Sequence, residues 1–152
     1  MNIIKAVGLI CLLLSVSFIG FISAQNLTKR ANALENICVS ITKYKTLVSH
    51  SGKEISYILP ESFSSVSFVD FSGNPPRIGE PCPLKSEDKD LLMTFFSEAG
   101  SSSKAGENTR CDYYFEAFSS LKKDAVKTAA EKKKIYIVSG ICSALASVVV
   151  FV

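Results

Sequence analysis

Apolar and polar positions alternate along this chain with periods that change from stretch to stretch. Ala6 to Phe21 is an almost unbroken apolar run. From Leu27 to His50 the apolar residues recur at helical spacing: Leu27, Ala31, Leu34, Cys38, Ile41 and Val48 form one stripe, with Ile37 and Tyr44 beside it. That pattern predicts an amphipathic helix, capped by Asn26 or Thr28 and ended by Gly52. Glu54 to Leu59 is a short apolar run stopped by Pro60, and Ser65 to Phe71 is rich in Val and Phe. Together they suggest a pair of short strands. Ser72 to Pro83 holds Gly73, Pro75, Pro76, Gly79, Pro81 and Pro83 and reads as an irregular loop.

A second helix follows. Ser86 is its expected cap, and Glu87, Asp88 and Asp90 lie in its first turn, where the helix dipole favours negative charge. Leu91, Leu92, Phe95, Phe96 and Ala99 make its apolar face. Gly100 to Asn108 reads as a flexible connector. Thr109 and Asp112 then form a capping box for a third helix, lined on one side by Cys111, Phe115, Phe118, Leu121 and Ala125 and continuing toward Lys134. The fold expected is mainly α: about three helices sharing their apolar faces, with a short two-stranded element.

The two ends set the expected organisation. Lys5, the apolar run and Ile22-Ser23-Ala24 follow the order of a secretory signal, with cleavage after Ala24. Ile135 to Val152 is uncharged over 18 residues. As a helix it would span about 27 Å, close to the ~30 Å of a bilayer core. Lys132, Lys133 and Lys134 precede it and no charge follows, which suits a glycolipid-attachment signal better than a transmembrane tail. Asp124 is the candidate attachment residue. The expected organisation is a signal at 1–24, an extracellular domain at 25–124, a basic spacer at 125–134 and a hydrophobic tail at 135–152. The layout resembles that of small surface proteins of eukaryotic cells, unicellular parasites included. The resemblance rests on the ends alone and carries over no functional residue.

Charge narrows the partners. The net charge is +3, yet residues 25–124 hold 12 Lys plus Arg against 13 Asp plus Glu, a net of −1. The basic surplus lies at Lys5 and in Lys122 to Lys134, without interleaved aromatics. It reads as the flank of a membrane segment and not as a nucleic-acid patch. Of five cysteines, Cys38, Cys82 and Cys111 fall in the middle domain. In an oxidising compartment one pair is expected, Cys82 with Cys111, leaving Cys38 as a buried thiol or the link of a disulfide-joined homodimer. Asn26-Leu27-Thr28 is an N-glycosylation acceptor.

No reaction chemistry emerges. His50 is the only histidine and lies among Ser49, Ser51 and Gly52, as a solvated turn residue would. The cysteines and His50 lack the spacing of a zinc site, and the glycines form no phosphate-cradling loop. Neither a catalytic residue, nor a metal site, nor a cofactor is expected. The function expected is a non-catalytic interaction protein, secreted or held at the cell surface by its carboxyl end, with a membrane and an unidentified protein as partners. The alternative is a two-helix integral membrane adaptor with a cytosolic middle domain.

Overall fold

The computed structural model describes residues 25–51, 54–73, 75–135, 138 and 139 with their side chains, and the helical backbone around them from 3 to 151. Among the described residues the protein is mainly helical. Helix α1 spans Ile3–His50, α2 Ile55–Ser62, α3 Ser86–Glu98 and α4 Lys104–Phe151. Strand β1, Val69–Asp70, pairs antiparallel with β2, Arg77–Ile78, with Val69 opposite Ile78 and Asp70 opposite Arg77. The chain divides into two units, one of residues 29–124 and one that brings together 1–28 and 125–152. The expected signal cleavage and most of the tail fall on side chains outside the described residues. Among the described residues no helix is long and apolar enough to cross a membrane.

The core of the 29–124 unit follows from two helical stripes. On α1, Leu34, Ile37, Cys38, Ile41, Tyr44 and Val48 are buried, the 3–4 spacing that places one face inward. Hydroxyls on the remaining faces bond back along the helix, Thr42 to the Cys38 carbonyl and Thr46 to the Thr42 carbonyl, both at 3.0 Å. On α4, Cys111, Tyr114 and Phe118 are buried. Between them α3 inserts Leu92, Phe95 and Phe96. Aromatic rings tie the elements together: Phe95 meets Tyr44 of α1 at 5.7 Å and Tyr114 of α4 at 5.2 Å, both edge-on. Phe63, just past α2, stands 5.1 Å from Phe96. Edge-to-face pairs of this kind each add about 0.5–1.5 kcal/mol beyond the area they bury.

Several local expectations change. Residues 55–62 form a helix and not a strand, because Ile55, Ile58, Leu59 and Ser62 recur at helical spacing and the last three are buried. The two-stranded element lies instead between β1 and a strand inside the Pro/Gly-rich loop. Ser86 is the first residue of α3, and Lys85 precedes it as the cap. The Lys85 backbone N–H donates to the Asp88 carboxylate at 3.1 Å. The connector 100–108 is mostly helix: α4 begins at Lys104, five residues before Thr109. Ser103 is its cap, since its carbonyl accepts from the Glu107 N–H at 2.8 Å and its hydroxyl from the Gly106 N–H at 3.3 Å.

Candidate functional site

Two buried charged seams hold the 29–124 unit in register. In the first, the Arg30 guanidinium of α1 grips Asp88 of α3 with two bonds: Nε to Oδ2 at 2.7 Å and the second nitrogen to Oδ1 at 2.8 Å. Asp88 is fully buried. A paired fork of this geometry fixes orientation as well as charge.

The second seam centres on Glu107, also buried. Its carboxylate accepts from the Arg110 guanidinium at 2.6 Å, the Tyr44 hydroxyl at 3.2 Å and the Ser102 N–H at 3.2 Å. Arg110 also donates to the Glu98 carbonyl and to the Ser102 hydroxyl. The Tyr114 hydroxyl donates to the Glu98 carboxylate at 2.9 Å. One network therefore joins α1, the end of α3 and the start of α4. Burial first, and the neighbouring Glu98 carboxylate second, push the Tyr114 phenol up to about 12. Burial and the nearby Glu107 push the Cys111 thiol up to about 11. No buried side-chain nitrogen or oxygen among the described residues lacks a hydrogen-bond partner.

Those seams spend their polar atoms on the protein itself. Among the described residues, one feature facing outward within this unit is a groove of about 560 Å³ between α1 and α4, lined in part by Cys38, Val39, Thr42, Phe115 and Ser119. Val39 is 59% exposed and Phe115 40%. At one end Lys122 pairs with Glu35 at 3.2 Å. On the α1 side Lys43 reaches the Glu61 carbonyl at 2.7 Å. Phe115 was expected among the core residues of its helix. It faces the groove because Cys111, Tyr114 and Phe118 set the inward stripe, and the next residue after Tyr114 is turned about 100° away.

The sequence-predicted sites are dispersed. Cys38 and Cys111 are buried on α1 and α4, and Cys82 is half-buried in the loop after β2; all three are free thiols. The expected bridge between Cys82 and Cys111 is not formed. Burial raises the Cys38 thiol, against the pull of the Lys122 ammonium, so the groove's cysteine is a poor nucleophile. Asn26 is exposed on α1, and Asp124 is exposed within the unbroken run of α4. His50 is exposed at the end of α1, its ring nitrogen donating to the Thr46 carbonyl at 3.0 Å. Among the described residues no cluster of His, Cys, Asp or Glu could hold a metal ion. Sequence reasoning missed Arg30, Asp88 and Glu107 as paired groups. Their signal was faint: charged residues standing at inward helical positions.

The family model of stage III sporulation protein AB matches residues 77–152, half of the chain's 152 residues, from β2 through α3 and α4. No curated protein and no solved structure matches the chain. The family match overturns the expectation of a secreted or cell-surface interaction protein delivered by the secretory pathway, and with it the glycolipid anchor, the glycoprotein reading and the likeness to eukaryotic surface proteins. That expectation rested on the hydrophobic ends, and a signal-like start and an uncharged finish are defined by composition, which other proteins share. By the match across β2, α3 and α4, the chain belongs to the stage III sporulation protein AB family.

Proposed function

We propose that the protein is a non-catalytic component of stage III sporulation that works by association, binding a protein partner along the α1–α4 groove and meeting a membrane with its apolar ends. The observation that carries this reading is the groove. Val39 and Phe115 stand exposed on its walls, in a unit whose buried polar groups are spent on internal pairs. An aromatic ring held outward among apolar neighbours, as Phe115 is beside Val39, is the kind of patch that interface cores are enriched in. The charged rim of Glu35, Lys43 and Lys122 suits the polar border such interfaces carry.

The test is genetic and structural together. In a sporulating strain carrying Val39→Asp and Phe115→Asp, partner binding falls by about tenfold or more, as a charge placed in a desolvated anchor site requires. Heat-resistant spores fall with it, while the protein's level and melting temperature stay near those of the parent, because both residues are already exposed. Normal spore counts in that strain would discard the groove as the working surface.

A further inference from the structure

Lys132, Lys133 and Lys134 are exposed on α4, as is Lys127 one turn and more upstream. Among the described residues none of the four makes an ion pair or hydrogen bond. Directly after them Ile135 is 63% exposed and Val138 52%, and the sequence stays uncharged to Val152. Residues 132, 133 and 134 are successive on a helix, so each is rotated about 100° from the last. The three ammonium groups therefore point in three directions around the helix and form a collar, not a stripe.

That arrangement discriminates between partners. A protein or nucleic-acid surface meets one face of a helix and would leave at least one of the three lysines turned away. A layer of headgroups surrounds a helix on every side. Lysine stems also lie along apolar surface while their ends reach polar groups, which fits a collar placed at the edge of exposed Ile135 and Val138. Each lysine near an anionic leaflet adds an attraction to its phosphates that zwitterionic headgroups do not supply.

We infer that the Lys132–Lys134 collar of α4 is a headgroup-binding site that selects anionic phospholipids over zwitterionic ones. The inference rests on the membrane contact proposed above and names the lipid class for it. The collar holds the phosphate layer at the level where the uncharged stretch begins, and Ile135 and Val138 enter the acyl boundary beside it.

The experiment uses the full chain reconstituted in bilayers of mixed phosphatidylcholine and phosphatidylglycerol, with spin-labelled versions of each lipid in separate samples. The fraction of motionally restricted label reports the lipid held at the protein. The expected result is a preference for labelled phosphatidylglycerol of about threefold or more, lost on raising salt. The triple variant Lys132→Gln, Lys133→Gln, Lys134→Gln should keep a restricted fraction with both lipids but lose the preference, and the triple arginine variant should retain it. Equal restriction of the two lipids by the parent chain would overturn the lipid selectivity and leave the membrane contact standing. A restricted fraction with neither lipid would overturn both. A preference that survives the glutamine variant would also overturn the collar as its source.

Discussion

The Arg30–Asp88 pair shows how much a single buried carboxylate controls. Two charges removed from water are worth little more together than a well-packed apolar pair, but either one left alone is expensive. Asp88→Ala leaves Arg30 buried without a counter-charge and also removes the acceptor for the Lys85 N–H. It should cost about 3–5 kcal/mol, read as a lower urea midpoint by circular dichroism, and the double variant Arg30→Met, Asp88→Leu should recover most of that loss. Protonation gives a second prediction at this scale. The Cys111 thiol, ordinarily near 9.0, is held at about 11 in the fold, and Tyr114 is moved from 10.0 to about 12. Both groups keep their proton longer when folded, so their contribution is whole below pH 9 and is lost as pH climbs through 9 to 12. Urea midpoints should fall over that window, and less steeply over its lower half in Cys111→Ala. A flat profile from pH 8 to 11 would contradict the buried placement of the thiol.

At the scale of elements, turns are as constrained as helices. Gly100 ends α3 with φ +85, and a Cβ there would stand 3.0 Å from Ile55 Cδ1 and 3.1 Å from its Cγ2. Gly100→Ala should destabilise by about 1–2 kcal/mol through its left-handed backbone alone, with Ile55 displaced besides, and a thermal melt measures it. How far each element could be read from the sequence depends on the length of its pattern. The 27–50 stripe on α1 repeats over many turns, and the end at His50 agrees with the structure. Residues 55–62 contain only two turns, in which a strand and a buried helix present the same short apolar run. Pro60 looked like a stop, yet it lies inside α2. The start of α4 was hidden by composition, since Gly100 to Asn108 is rich in glycine and serine. What overrides that composition is tertiary: Glu107 is anchored from α1 by Tyr44, and Ser103 caps the first turn. The groove was legible only in part. Val39 lay off the α1 stripe from the outset, whereas Phe115 shared the spacing of true core residues and had to be seen in place.

Across the whole molecule, the division into a 29–124 unit and a unit of both ends separates two kinds of chemistry. The first is nearly balanced in charge, at −1 between 25 and 124, and closes its buried ionic groups, Arg30 with Asp88 and Arg110 with Glu107, on one another. The lysines beyond it, 127 and 132–134, stay open. The two functional proposals fall on different sides of that division and can fail separately. Glutamine at the collar should leave the urea midpoint of the central fold unchanged, and aspartate at Val39 and Phe115 should leave lipid preference unchanged.

The seams also bear on where the fold can be cut. The family match opens at residue 77, so it takes in Asp88 and Glu107 but neither Arg30 nor Tyr44, which complete them from α1. A polypeptide starting there would lose the cation that pairs with Asp88 and the hydroxyl that donates to Glu107, while Arg110 and the Ser102 N–H stay with Glu107. In the whole fold the matched half is thus packed and paired in part by residues that lie ahead of it, so deleting residues 1–76 should lower its helicity by circular dichroism.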